Sequence, residues 1–165
     1  MTNPNLIADT DLFFNQFEPK LKNRFILAMD GVPAFMIKQA KRPSLETETV
    51  ALSHINVERY VKGKTKWKAM DFTLYDPVVP SGAQAVMEWV RLHHESVTGR
   101  DGYADFYKKD LTLKILGPVG DVVEEWKLVG CFITSADFGD MAWAGTSEPL
   151  EVKVTIQPDY CILLY

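Results

Sequence analysis

Apolar side chains at helical spacing mark one stretch of the chain, residues 80–97 (PSGAQAVMEWVRLHHESV). The stripe that faces one way on a 3.6-residue helix consists of Ala83, Val86, Met87, Val90 and Val97. The Ser81 hydroxyl is placed to cap free N–H groups in the first turn, and Gly99 and Gly102 form a stop signal. The pattern therefore predicts one amphipathic helix over residues 81–97, whose apolar stripe needs a sheet to cover.

Alternation with a period of two predicts strands over most of the remaining chain. Residues 67–75 place Met70, Phe72 and Leu74 on one face, and residues 150–157 show the same alternation. Between residues 123 and 136 one parity contains Trp126, Leu128, Phe132 and Thr134, and the other contains Glu125, Lys127, Val129 and Cys131. The predicted fold class is mainly β, an antiparallel β-sandwich or barrel of about 7 strands with one flanking α-helix.

Two further segments carry hairpin signals. In residues 23–43, apolar runs flank a turn at 30–33 (DGVP), which predicts a β-hairpin. Its first run, residues 25–29, is apolar at every position, which predicts a strand covered on both faces. Residues 44–66 are predicted to form a long polar-faced extension, either a second hairpin with its turn at Gly63 or a strand leading into a loop.

Composition and net charge limit the classes of protein to which the chain can belong. The chain has 165 residues, 47% of them apolar, and a net charge of −4, which suits one globular domain over residues 1–165. The charge balance offers no basic stripe for direct nucleic-acid binding. We expect no signal peptide and no membrane anchor, because neither a basic segment before an apolar region nor a bilayer-spanning apolar run is present.

The two ends of the chain are unusual. Residues 1–22 contain several aromatic side chains without a clean period, and we interpret them as an arm that docks on another surface. Residues 158–165 end in Ile162, Leu163, Leu164 and Tyr165. Because chain ends are usually frayed and polar, we expect this tail to pack against another surface as well.

Residues capable of chemistry do not form a recognisable site. His93 and His94 are adjacent on the predicted helix, so their rings diverge and do not suit one metal ion. Cys131 lies within a strand pattern and suits a small buried hydrophobe better than a nucleophile, while a disulfide with Cys161 stays open. The acidic pairs at 124–125 and 137–140 suit solvated charge. We expect no enzyme, no metal and no cofactor.

Long segments of the sequence nevertheless resemble a known family. They are NRFILAMDGVPAFMIKQAKRPSLE, DFTLYDPVVPSGAQAVMEWVRLHHESVTGRDGYADFYKKDLTLKILGP, EEWKLVGCFITSADFG and EPLEVKVTIQPDYCILLY. Together they are similar to the tail tube proteins of contractile-tailed phages of the T-even type, over nearly all of residues 23–165. Through fold, the resemblance extends to the tube proteins of pyocin-like particles and of type VI secretion.

The resemblance implies a structural subunit of the inner tail tube. Six subunits would close into a ring, and rings would stack into a hollow conduit through which genomic DNA passes without sequence-specific binding. The implied partners are further copies of the chain, the tail sheath, the baseplate, the tail terminator and the tape measure protein. The implied location is the virion tail, after synthesis and assembly in the host cytoplasm.

The resemblance also implies contact residues. Residues 44–66 would extend toward the next ring, although a simple surface hairpin is the alternative. The residues expected at inter-ring or inter-subunit contacts are Glu46, Glu48, His54, Arg59, Tyr60, Lys62, Tyr160, Leu163 and Tyr165. The candidates for the water-filled lumen are Asp71, Thr73, Glu151, Lys153 and Thr155.

Other functions remain open at this stage. The same chain suits the tube of a headless injection particle of the pyocin or type VI kind. A monomeric β-barrel that holds an apolar ligand is a different class. An enzyme of unrecognised mechanism is the third alternative.

Overall fold

The computed structural model describes residues 18–145 and 147–165. The helices are α1 (Gly82–His93) and α2 (Ala104–Tyr107), and a single 3-10 turn covers Ala34–Met36. The strands are β1 (Phe25–Ala28), β2 (Ile37–Ala40), β3 (Leu45–His54), β4 (Val57–Trp67), β5 (Met70–Tyr75), β6 (Lys109–Leu116), β7 (Val122–Asp137), β8 (Glu151–Gln157) and β9 (Tyr160–Leu163).

Seven strands form one antiparallel sheet in the order β1-β6-β7-β8-β5-β2, with β9 added beside β7. We call this sheet, together with α1, the barrel. Strands β3 and β4 form a separate two-stranded sheet, which we call the hairpin. The predicted fold class is confirmed, with nine strands among the described residues where the sequence suggested about seven.

The core lies on the inner face of the curved sheet. The members with 0% exposure come from β5, β6, β7 and β8, and they are Leu74, Leu111, Leu128, Cys131, Val152 and Ile156. The alternation predicted for residues 67–75 and 150–157 is confirmed by this burial pattern. Side chains rather than a solvent-filled space therefore occupy the interior.

Strand β7 joins the two halves of the sheet. Its first half pairs with β6 and β9, and its second half pairs with β8. The predicted alternation of β7 is wrong beyond Leu128. Two consecutive residues, Gly130 and Cys131, are both buried, so the inward-facing positions shift by one residue there. Gly130 has φ 66, and an added Cβ would lie 2.2 Å from the Asp159 carboxylate, so only glycine fits this kink.

The hairpin predicted for residues 23–43 is wrong. β1 pairs with β6, while β2 pairs with β5 at the opposite edge of the sheet, and only the Met29–Val32 bridge joins the two segments. The predicted coverage of β1 on both faces is also wrong, since Leu27 is buried whereas Ile26 and Ala28 are exposed. Tertiary pairing with distant strands outweighs the local turn signal here.

Helix α1 begins as predicted and ends early. The Ser81 hydroxyl accepts from the Gln84 N–H at 3.3 Å, and the Asp76 carboxylate accepts from the Gly82 N–H at 2.8 Å. The buried side chains of α1 include Val86 and Trp89. The helix ends at His93, since His94 bridges to Asp101 in extended conformation, and Val97 is 92% exposed. The predicted end at residue 97 is therefore wrong.

The hairpin projects from one end of the barrel. The β2–β5 ladder runs on into the β3–β4 ladder through two backbone bonds, from Lys41 N–H to Asp71 C=O (3.1 Å) and from Lys68 N–H to Ser44 C=O (2.9 Å). The segment 138–150 joins β7 to β8 beside Tyr75, at the opposite end of β5. With a rise of about 3.3 Å per residue, the six residues of β5 separate the two ends by roughly 20 Å. In the described part of the chain, no helix is long and apolar enough to cross a membrane.

Candidate interaction surface

Beyond its base, the hairpin pairs with no other strand in the described residues. Its two strands, of 10 and 11 residues, pair only with each other, and none of their side chains is buried. An isolated two-stranded hairpin is at best marginally stable in water, because it buries too little apolar surface to offset the entropy of ordering it. This exposed ladder is a surface that gains stability from a partner.

The outer half of the hairpin is amphipathic. The cross-strand pairs Val50–Val61, Leu52–Arg59 and His54–Val57 place their side chains on one face, where the four aliphatic residues are 44–61% exposed. We call this the hairpin apolar face. The pairs Thr49–Lys62, Ala51–Tyr60 and Ser53–Glu58 form the polar face. One side therefore suits an apolar partner surface and the other suits water.

The tip of the hairpin carries a strained apolar residue. Ile55 has φ 52 and a fully exposed side chain. A β-branched residue at positive φ is a genuine outlier, and glycine or asparagine takes this turn position at much lower cost. Strained residues of this kind cluster at functional sites. Ile55 is therefore a candidate contact residue at the tip.

A buried carboxylate holds the base of the hairpin. Glu124 on β7 is 3% exposed and is the one buried charged side chain in the described ranges. Arg42, three residues before β3, donates to it at 2.6 Å, and Lys20 and the Trp126 indole N–H donate to it as well. The carboxylate thus connects the chain entering β1, strand β7 and the start of the hairpin.

The protonation of Glu124 follows from these partners. Burial raises the pKa of its carboxyl group, but hydrogen bonds from Lys20 and Trp126 and the charge of Arg42 together outweigh burial, so the net pKa lies below its ordinary value. The group is therefore ionised at neutral pH and holds both cations.

The second strand of the hairpin is held at its base by aromatic packing. Trp67, the last residue of β4, packs edge-to-face on Trp126 with ring centroids 6.5 Å apart. The Gln157 side-chain amide donates to the Trp67 carbonyl at 2.9 Å. Both strands of the hairpin are thus fastened to β7 and β8 at the base, whereas the outer half is free of the barrel.

The six contact residues predicted in segment 44–66 all lie exposed on the hairpin. They are Glu46, Glu48, His54, Arg59, Tyr60 and Lys62. Glu46 pairs with Lys68 at 3.0 Å, and Glu48 pairs with Lys66, so these two acids brace the base. The turn lies at residues 55–56 rather than at Gly63, which sits inside β4 against Glu48. That these residues contact another ring stays a prediction.

Sequence reasoning missed the aliphatic contact candidates. The hairpin apolar face contains Val50, Leu52, Val57 and Val61, none of which was selected. The signal was the even spacing of apolar residues within each strand, two residues from 50 to 52 and four from 57 to 61. Its meaning depended on knowing that no part of the same chain covers that face.

The C-terminal tail docks on its own sheet. β9 pairs with the first half of β7, and Cys161 is buried. The other predicted contact residues, Tyr160, Leu163 and Tyr165, are exposed along this edge. The Tyr165 hydroxyl donates to Glu125 at 3.0 Å. An apolar strand edge is thereby presented to solvent, and its contact with another subunit stays a prediction.

The five predicted lumen residues share one surface. On β5 and β8, Asp71 lies opposite Thr155 and Thr73 lies opposite Lys153, with the Thr155 hydroxyl donating to Asp71 at 2.8 Å. Glu151 pairs with Lys38 of β2. These residues form the outer, polar face of the sheet, opposite the core. Their grouping is a structural fact, whereas their position in a lumen stays a prediction.

The residues examined for chemistry lack a reactive arrangement. Burial raises the pKa of Cys131 to about 12 and that of Cys161 to about 11, and both are free thiols. His94 pairs with Asp101 at 2.8 Å, and His93 Nε2 is buried without a hydrogen-bond partner in the described part of the chain. Across residues 18–145 and 147–165, no group of three or more His, Cys, Asp or Glu residues suits a metal ion.

Comparison with known proteins identifies the fold. No protein-family model matches the sequence, and no curated protein matches it significantly. A chain in the structure of the PVC extracellular contractile injection system (sheath/tube terminator, extended state) has a TM-score of 0.72 at 14% identity, over 90% of this chain and 99% of that one. A chain of the anti-feeding prophage tube-terminating cap has a TM-score of 0.69 at 20% identity, over 95% and 98%.

A phage tail tube has the same fold at greater distance. The SPP1 tail tube aligns with a TM-score of 0.51 at 11% identity, over 88% of this chain and 78% of that one. The chain therefore has the tail tube fold, shared by tube and terminator proteins of contractile injection systems and by phage tail tubes. The recognised fold is confirmed, and at these identities the likeness concerns the fold.

Proposed function

We propose that this protein is a structural subunit of the inner tube of a contractile phage tail, and not an enzyme. The observation that carries the proposal is the hairpin, an amphipathic two-stranded ladder that no part of the barrel covers, on a fold shared with tube proteins. A surface of this kind is stabilised by an adjacent subunit.

Lateral assembly into six-membered rings would use the sheet edges. β1 and β2 end the seven-stranded order, and β9 presents a third edge with exposed apolar side chains. Joining edges between neighbours removes unpaired backbone groups and closes the ring. The tail 158–165 and the N-terminal arm would take part in these contacts. Residues 1–17 of that arm lie outside the described residues.

Longitudinal assembly would use the hairpin, with rings stacked into a conduit and the polar face of β5 and β8 turned to the lumen. That face mixes Lys38 and Lys153 with Asp71, Asp137 and Glu151, so it would let DNA slide rather than hold it. The proposed partners are the sheath, the baseplate, the terminator and the tape measure protein, in the virion tail.

Two other assemblies use the same fold. A headless injection particle would use the same rings without a genome, and neighbouring capsid genes distinguish the two. A tube terminator would form one ring that does not polymerise. A ligand-binding barrel is less well supported, because Leu74, Leu111 and Leu128 fill the interior.

The decisive experiment compares the purified protein with a variant in which an Asn-Gly turn replaces residues 49–62. We expect six-fold rings and tubes in negative-stain micrographs of the wild type, with or without a baseplate seed. The shortened variant should keep its circular dichroism spectrum and lose the tubes. A wild type that stays monomeric at high concentration, even with the seed, would overturn the proposal.

A further inference from the structure

A groove follows the seam at which the sheet of the barrel stays open. β1 and β2 stand at the two ends of the strand order, and each pairs with a single strand among the described residues. The groove between them has a volume of about 420 Å³ and is lined by residues of both edges, of β6 and of the chain that enters β1. Alternate backbone groups of an edge strand point away from its one partner, so the seam offers unpaired donors and acceptors.

The floor of the groove is apolar and continuous with the core. Leu113 and Ile115 of β6 are buried core residues that line it, and Phe25 and Ala40 line it from the two edges. An apolar side chain placed in the groove would therefore extend the core of the barrel and leave water on doing so.

The rim of the groove is basic. The charged residues that line it are all cations, namely Lys20, Lys22, Arg24, Lys38 and Arg42. Two carboxylates pair with members of this set, Glu124 at one end and Glu151 beside β2, so five positive charges face two negative ones. Lys22 and Arg24 have no ion-pair partner among residues 18–145 and 147–165. The groove therefore suits an apolar segment that carries negative charge.

The chain that precedes β1 already lies on this groove. Residues 20–25 line it, and the Arg24 N–H donates to the Leu21 C=O at 3.4 Å, which forms a turn immediately before the strand. Residues 1–17 come before the first described residue, Glu18. At about 3.3 Å per residue they are long enough to span roughly 55 Å, much more than a four-residue edge strand requires.

The last part of that segment matches the groove in both apolarity and charge. Residues 9–17 (DTDLFFNQF) contain two carboxylates and no Lys or Arg, and their large apolar side chains are Leu12, Phe13, Phe14 and Phe17. The apolar side chains suit the floor, and the carboxylates of Asp9 and Asp11 suit the cations of the rim.

We propose that in the free subunit residues 9–17 dock into the groove between β1 and β2 of their own chain. The aromatic side chains then cover the floor, and Asp9 and Asp11 face Lys22 and Arg24. The docked segment covers both open edges of the sheet and offers hydrogen-bond partners to their backbone groups. The inference goes beyond the proposed function, since it concerns the single subunit. A neighbouring copy must displace the segment before it pairs with either edge.

Cysteine cross-linking tests the position of the segment. Asn15→Cys is combined with Gln39→Cys on the groove or, as the matched control, with Gln84→Cys on α1, and both glutamines are exposed. Cys131 and Cys161 are buried and do not compete for a short bis-maleimide. In dilute monomer, peptide mapping should find roughly tenfold or more internal cross-link in the groove variant, because docking raises the effective concentration of the two thiols.

Two results of this cross-linking would overturn the inference. Equal yields in the groove and control variants would mean that the segment does not occupy the groove. A cross-linked product of twice the subunit mass, in place of the internal one, would mean that the groove holds the segment of another copy. The readout requires neither rings nor tubes.

Amide hydrogen exchange tests the apolar part of the contact. A variant with Phe13→Ser, Phe14→Ser and Phe17→Ser should exchange roughly tenfold faster in β1 and β2, with β8 unchanged, because the two edges lose their cover. The control variant, Val97→Ser with Val119→Ser, removes two apolar side chains that are exposed elsewhere on the molecule. Unchanged exchange in the edges of the first variant, or the same increase in both variants, would overturn the inference.

Charge reversal tests the polar part of the contact. In the groove cross-linking variant, Lys22→Glu with Arg24→Glu should lower the yield, because two carboxylates then face two others. Adding Asp9→Lys and Asp11→Lys should restore it, because each reversed side meets its complement again. A yield that is indifferent to the first reversal, or that the second fails to restore, would contradict the proposed placement of Asp9 and Asp11.

Discussion

The barrel and the hairpin are built from the same antiparallel ladder, and they differ in what covers it. In the barrel, alternate side chains of β5, β6 and β8 are buried against the core, so each strand is stabilised by its neighbours across the interior. In the hairpin, the two strands, of 10 and 11 residues, pair with no other strand and bury none of their side chains. Fold stability therefore resides in the barrel, and the hairpin is the part of the described chain that a partner surface would stabilise.

Truncating one leucine in each region tests the comparison most strongly. Leu128→Ala removes a fully buried side chain and should lower the free energy of unfolding by about 2–5 kcal/mol. Leu52→Ala on the hairpin apolar face should change it by less than about 0.5 kcal/mol while weakening tube formation. Urea denaturation of the monomer and light scattering of the tubes measure the two effects. Comparable loss of monomer stability in both variants would contradict the division.

A smaller effect is expected where the two regions join. Glu124→Gln keeps the shape of the side chain but removes the charge that Arg42 and Lys20 share, at a cost of about 1–3 kcal/mol. Amide hydrogen exchange should rise in residues 45–67 more than in β6 or β8, because the base of the hairpin loses its anchor. Asp105→Asn, which removes an exposed carboxylate on α2, is the control. An equal increase in amide exchange across the chain would show that Glu124 stabilises the whole fold rather than the base of the hairpin.

The same carboxylate gives the hairpin base a pH dependence. Because its folded pKa lies below its unfolded value, its contribution is present above the unfolded pKa of about 4.3 and is lost as the pH falls through the folded value. Unfolding measured between neutral pH and pH 3 should thus lose more stability in the wild type than in Glu124→Gln. Parallel curves for the two proteins would refute this assignment.

Alkylation of the two buried thiols, Cys131 and Cys161, reports on opening of the barrel without any substitution. Burial raises the pKa of Cys131 to about 12 and of Cys161 to about 11, so both are protonated and slow to react with an alkylating reagent at pH 8. Labelling should accelerate in step with global unfolding in urea, after hairpin amides have already exchanged. Rapid labelling of the native protein would mean that the barrel opens as readily as the hairpin.

The local sequence pattern predicted those elements in which burial alternates regularly along the chain. β5 and β8 each bury alternate residues, and α1 begins at a capping serine, so period and cap were sufficient. The end of α1, the phase change of β7 at Gly130 and the partners of β1 and β2 were missed. Each depends on a contact with a distant residue, such as Asp101 for His94 or Asp159 for Gly130.

Periodicity and composition were enough to predict the fold class, the single main helix and the exposure of the charged hairpin residues, because both follow from which side chains avoid water. The three-dimensional pairing was needed to show that β3 and β4 pair with no other strand and that Glu124 fastens the base of the hairpin they form. A side chain is a core residue or a contact residue according to what covers it, and covering is a property of three-dimensional packing rather than of spacing along the chain.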